Sequence, residues 1–181
     1  MPLQNENTYT TDYIYSLPEG QRAELINGIV YNMAPPSRLH QEIVMNLSAE
    51  IRDYIKINHG SCKVYPAPFA VFLNKDNKTY VEPDISVICD KSKLDDRGCN
   101  GAPDWIIEVV SPGTKRMDYG IKLFKYRTAG VREYWIVNPL NRTVNVYDLI
   151  TNELTDLYSF DDDIPACIYD GLKINFTDLL G

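Results

Sequence analysis

Residues 103–114 read PDWIIEVVSPGT, and within them WIIEVV (105–110) is an apolar run broken only by Glu108. A short run of this kind, with proline before it and a proline-glycine pair after it, predicts a strand buried on both faces. An ionised carboxylate on such a strand needs a compensating partner. Downstream, Met117, Ile121 and Phe124 step by four and then three residues, which predicts a helix across 117–128 packed through those positions and closed by Ala129-Gly130. EYWIVN (133–138) then predicts a second strand, and strand, helix, strand in that order fits a right-handed crossover between parallel neighbours.

Upstream, Thr10 or Thr11 before DYIYSL predicts a short capped helix ended by Leu17-Pro18-Glu19-Gly20. AELINGIVYN (23–32) sets Asn27-Gly28, a pair suited to positive φ, between two β-prone arms, so a hairpin is expected with Glu24 on its first strand. Leu39, Ile43, Leu47, Ile51 and Ile55 recur at helical spacing after Ser37, a natural cap, with His40 in the first turn. Residues 62–73 and 80–90 are β-prone and flank the polar loop 74–78, which predicts a strand pair. VNVYDLI (144–150) and a turn at Asp170-Gly171 predict further short strands, with a last helical turn near Asp178.

The 181 residues are 44% hydrophobic and 24% charged, the balance of one globular domain spanning residues 1–181. The formal net charge of −7 excludes a whole-chain basic field of the kind that coats polyanions. The first ten residues lack the basic and apolar segments of a secretory signal, and no apolar run approaches the roughly 20 residues that span a bilayer. A cytoplasmic protein with no membrane partner is expected. Cys62, Cys89, Cys99 and Cys167 have no metal-site spacing and are read as reduced thiols.

Two-residue alternation along VEPDISVICD (81–90) groups Val81, Pro83, Ile85, Val87 and Cys89 on one face and turns Asp84 to the other, less apolar one. Asp84 and Glu108 on adjacent strands suit a Mg²⁺ ion, a hard cation that takes carboxylate oxygens and keeps waters for a phosphate to displace. The Val109 carbonyl is the natural third protein ligand. A lysine two residues after Glu108 would share its face, but Val110 stands there. Lys122 is the replacement, on a helix stripe with Asp118 and Lys125 that flanks the apolar one. From 111 to 132 six cations, Lys115, Arg116, Lys122, Lys125, Arg127 and Arg132, face one acid, Asp118, so positive charge gathers beside Glu108 on an acidic body.

ELING (24–28), APPS (34–37) with His40, EPD (82–84), PDWIIEVVSPGT, the stretch from Asp118 to Lys122 and AGVREYWIVNP (129–139) together resemble the Uma-type restriction endonucleases, a family of the PD-(D/E)XK nuclease superfamily. The resemblance covers nearly the whole chain. It implies an α/β fold: a restriction-endonuclease-like mixed sheet flanked by helices, with additional β-hairpins at the N- and C-terminal ends. It further implies endonuclease activity on DNA by attack of a metal-activated water, with Mg²⁺ or Mn²⁺ as cofactor and a homodimer as a possible assembly. Carried over by position, Asp84, Glu108 and the Val109 carbonyl are the metal ligands. Lys122 takes the displaced lysine's place, Glu24 is a further acidic member, and His40 is supportive. Lys115, Arg116 and Lys125 are the candidate phosphate contacts.

The competing reading is a catalytically inactive nuclease fold that binds DNA or protein. It would keep the basic segment while the interrupted lysine position ends catalysis. Separately, the plainer reading of Lys122 is an exposed helix pair with Asp118. Nucleotide hydrolysis, dinucleotide use and serine-esterase chemistry are disfavoured, because G-x-x-x-x-G-K-[ST], G-x-G-x-x-G and G-x-S-x-G are all absent.

Overall fold

The computed structural model describes residues 8–151 and 156–181. In chain order its elements are α1 (Thr11–Tyr15), β1 (Ala23–Ile26), β2 (Ile29–Asn32), α2 (Arg38–Ile57), β3 (Lys63–Pro66), β4 (Val71–Phe72), β5 (Ile85–Ile88), β6 (Leu94–Asp95), β7 (Gly98–Asn100) and β8 (Trp105–Val109). A π-helical turn (Met117–Lys122) runs into α3 (Leu123–Ala129), followed by β9 (Glu133–Asn138), β10 (Thr143–Asp148), β11 (Leu157–Ser159), β12 (Ile164–Pro165), β13 (Lys173–Ile174) and α4 (Phe176–Leu180).

Among the described residues the main sheet has six strands in the order β11-β10-β9-β8-β5-β3. It is mixed. β8 and β9 run parallel, with Glu108 opposite Ile136, and the other neighbours are antiparallel. The π-helical turn and α3 connect the two parallel strands, the crossover that the spacing of 105–138 predicts.

Alternation along the strands divides the core in two. Ile85, Val87, Trp105, Ile107, Val109, Trp135 and Val137 project to one face, where α2 covers them with Ile43, Leu47, Ile51 and Ile55. The C-terminal β12–β13 hairpin and α4 complete that layer through Ile164, Ile174 and Phe176. Ile88, Ile106, Val110, Tyr134 and Ile136 project to the other face against Tyr126 of α3 and Ile26 of the N-terminal hairpin. Each fully buried aliphatic or aromatic side chain contributes about 1.5–3 kcal/mol over its exposed state. A sheet loaded on both faces therefore gives a rigid platform for the charged residues among its strands.

Local details follow the sequence closely in some places. Asn27 and Gly28 both have positive φ, at 53° and 79°, in the turn between β1 and β2. Ser37 caps α2 by accepting from the His40 main-chain N–H at 3.2 Å. Elsewhere they do not. Thr10 stands at the start of α1 without a side-chain capping bond. Residues 62–73 split between two sheets, because Pro66 and Pro68 supply no N–H to continue a ladder. β3 pairs with β5, whereas β4 pairs in parallel with β7 in a separate three-stranded sheet. The reduced-thiol expectation fails at Cys62 and Cys89, which form a disulfide. The cause is register: Lys63 pairs with Ile88, so the next pair along the antiparallel strands is Cys62 and Cys89. Cys99 and Cys167 are free. No helix among the described residues is long and apolar enough to cross a membrane.

Candidate active site

Glu108 sits one residue before the end of β8 on the face that carries Ile106, and only 4% of its surface is exposed. Its partner comes from the crossover. Lys122 Nζ donates to Glu108 Oε1 at 2.9 Å and to Glu24 Oε1 of β1 at 3.0 Å, and Asp118 Oδ1 stands 3.8 Å away. Asp118 and Lys122 are both buried, so the pair is no exposed surface bridge. Of the apolar positions Met117, Ile121 and Phe124, only Met117 packs against the core. Ile121 and Phe124 are 42% and 64% exposed, while Asp118, Lys122 and Tyr126 turn inward. Two causes act together. The π-helical turn changes the angular step between 117 and 122, and the Glu108 and Glu24 carboxylates demand a cation more strongly than the sheet demands another apolar contact.

Asp84 lies just before β5 and is half-buried. Its Oδ2 accepts from the Val109 main-chain N–H at 2.8 Å and meets His40 Nε2 at 3.2 Å. In return the Asp84 main-chain N–H points to Glu108 Oε2 at 3.4 Å. Each acid is thus tied to the other's strand, which fixes both carboxylates at one corner of the sheet. Glu24 is also held by the Glu82 main-chain N–H, which donates to the same Oε1 at 3.0 Å. Glu82 is in turn locked by Tyr80 OH at 2.7 Å and by Arg22 Nε at 2.8 Å.

The electrostatics follow from burying several acids around one lysine. Burial raises the Glu108 pKa well above the ordinary carboxylate range; Lys122 opposes the shift, while Asp84, Asp118 and Glu24 add to it. Asp118 is pushed up to about 6, first by burial, with Lys122 and a Thr114 hydrogen bond opposing and Glu24 and Asp84 adding. Burial alone would lower Lys122, but Glu108, Glu24 and Asp118 outweigh it and hold the ammonium charged. Burial likewise works to lower His40, and the bond and charge of Asp84, with Gln41 and the Val109 main chain, turn the net shift upward.

Asp84, Glu108, Lys122, Glu24, His40 and the Val109 main-chain N–H are thus brought together. Lys115 and Arg116 lie exposed before the π-helical turn, with no ion pair among the described residues. Lys125 is only half-exposed and its Nζ bonds Asn27 Oδ1 at the tip of the β1–β2 hairpin. Sequence reasoning missed Tyr126, whose hydroxyl donates to Glu108 Oε1 at 2.7 Å. The signal was present in the four-residue steps Asp118, Lys122 and Tyr126, which share a helix face.

A family model for Uma2, described as "putative restriction endonuclease", matches residues 10–174. The chain belongs to the Uma2 family. An uncharacterized protein of Synechocystis sp. is 26% identical over 129 residues, covering 70% of this chain and 66% of that protein, so the match spans just under two thirds of the relative. A crystal structure described as a putative nuclease belonging to DUF820, from Anabaena variabilis, superposes with a TM-score of 0.75 at 23% identity, covering 94% of this chain and 97% of that one. That likeness shows the fold.

Restriction-endonuclease-like proteins use divalent metals, and the residues here suit one. Three carboxylates, Glu24, Glu108 and Asp118, lie within 4 Å of Lys122, and Asp84 adjoins Glu108, a cluster of acidic oxygens that a cation would stabilise. Among the described residues no three His, Cys, Asp or Glu side chains form a ready cage. Two carboxylates and a main-chain carbonyl are the donor set of a Mg²⁺ that completes its shell with water and substrate phosphate.

Proposed function

We propose that this Uma2 protein is a Mg²⁺- or Mn²⁺-dependent endonuclease hydrolysing DNA phosphodiester bonds, with residues 1–181 acting as one catalytic unit. The observation that carries the reading is the convergence of Asp84, Glu108 and Lys122. A lysine absent from its strand position arrives from the crossover helix and meets Glu108 at 2.9 Å.

Asp84, Glu108 and the Val109 carbonyl would hold the cation, which when bound polarises the phosphodiester and acidifies water at the site. The chain's own residues do the rest. His40 and the Val109 N–H fix the Asp84 carboxylate, so it meets the cation already oriented. Lys122, held by its carboxylate partners, would orient or help deprotonate the attacking water. It would also screen negative charge developing on the phosphate, which a preorganised cation in a low-dielectric setting does well. Glu24 holds Lys122 in that position. Lys115 and Arg116 supply phosphate contacts, with Lys125 beside the hairpin tip. Two copies of the chain would cut both strands of a duplex, and the cytoplasm is the compartment proposed.

Incubation with supercoiled plasmid tests the reading: Mg²⁺ or Mn²⁺ is expected to give nicked and linear DNA, and EDTA to abolish both. Salt-sensitive DNA binding in EDTA without cleavage under any metal would instead select the inactive module.

A further inference from the structure

The two oxygens of the Glu108 carboxylate face different company. Oε1 accepts from Lys122 Nζ at 2.9 Å and from Tyr126 OH at 2.7 Å. Oε2 has one contact among the described residues, the Asp84 main-chain N–H at the long distance of 3.4 Å. We propose that Tyr126 is a positioning residue for the metal-holding carboxylate: with Lys122 it saturates Oε1, and it thereby leaves Oε2, on the Asp84 side, as the oxygen that takes the cation. The inference rests on the nuclease reading above and adds to it a residue and a choice of oxygen.

Three features support it. Tyr126 is fully buried, with its ring fixed edge-on against Tyr134 at 4.9 Å, so its hydroxyl has little freedom to point elsewhere. It follows Lys122 by four residues, which sets both donors on one helix face over the same oxygen. Lys122 alone could not fix the carboxylate, because its ammonium is shared between Glu108 and Glu24. A carboxylate oxygen with two short donors has its lone pairs committed, whereas one with a single long contact remains open to a cation.

Titration of the protein with Mn²⁺ by calorimetry, comparing wild type with Tyr126→Phe and Tyr134→Phe, tests the assignment. Tyr134 is an apt control: it is equally buried, but its hydroxyl donates to the Asp118 carbonyl at 3.1 Å rather than to Glu108. Tyr126→Phe is expected to weaken Mn²⁺ binding roughly tenfold to a hundredfold, the usual cost of removing a group that orients a ligand. Tyr134→Phe is expected to match wild type, and in cleavage assays Tyr126→Phe should need more metal while its KM for DNA stays unchanged. Equal weakening in both variants, or none in Tyr126→Phe, would overturn the inference and leave the nuclease reading standing. A wild-type protein that neither binds Mn²⁺ nor cuts DNA would overturn that reading, and the inference with it.

Discussion

Lys122 and Glu108, 14 residues apart in the chain, meet through Nζ and Oε1 at 2.9 Å, with both side chains buried. A strand acid and a helix lysine thus form the pair that the sequence around Glu108 leaves incomplete. Removing the cation from this arrangement strands Glu108, Glu24 and Asp118 together. Lys122→Met is expected to destabilise the fold by about 3–5 kcal/mol at neutral pH, the usual cost of an uncompensated buried charge. The cost should shrink below pH 6, where Asp118, its carboxyl pushed up to about 6, takes up its proton. Urea denaturation at pH 7.5 and pH 5 measures both numbers.

Asp118 predicts an effect of opposite sign. Its folded-state pKa stands near 6 against an ordinary 3.8, so the folded protein holds this proton more tightly than the unfolded chain. The associated stability is complete below about pH 4 and is lost as pH rises through 6. Asp118→Asn, which stays neutral throughout, should therefore raise stability relative to wild type at pH 7.5, by up to about 3 kcal/mol. The gain should vanish near pH 4. Thermal melts of the two proteins across that range check the sign.

The packing of residues 117–129 can be tested directly. Phe124→Ser alters a side chain that is 64% exposed and should change stability by no more than about 0.5 kcal/mol. Tyr126→Ala empties a fully buried position and should cost about 3–5 kcal/mol. Equal costs at the two positions would mean that the segment packs through its apolar stripe after all.

That segment marks where the sequence stops being legible. Strands announced themselves through apolar runs, the hairpin through Asn27-Gly28 and α2 through the spacing of Ile43, Leu47 and Ile51, because each is decided by local burial or local backbone preference. The convergence of Asp84, Glu108 and Glu24 was readable once these elements and the family resemblance were in hand. The orientation of residues 117–129 was not, because it depends on the buried acids of two other elements competing for Lys122. Tyr126 was missed for the same reason: in the chain it reads as one more core aromatic. The Cys62–Cys89 bridge depended on the register of β3 against β5, which irregular cysteine spacing does not encode.

DNA contact and metal chemistry should separate. Lys115 and Arg116 are exposed and make no ion pair with the carboxylates among the described residues, so replacing both with alanine is expected to weaken DNA binding and to flatten its salt dependence by about one unit of slope per lost phosphate contact. Mn²⁺ affinity should be unchanged. Binding isotherms at several salt concentrations, taken in EDTA, measure the first effect without interference from cleavage.

The central claim is that Asp84 and Glu108 together make a metal-dependent site for cutting DNA. Its most direct test is single-turnover cleavage of plasmid at saturating Mg²⁺, and then Mn²⁺, by wild type, Asp84→Asn and Glu108→Gln, each shown to be folded by its melting transition. The account predicts cutting by wild type and a rate lowered by at least roughly a hundredfold in either variant. Equal cutting by all three proteins, or none by wild type with either metal, would contradict it.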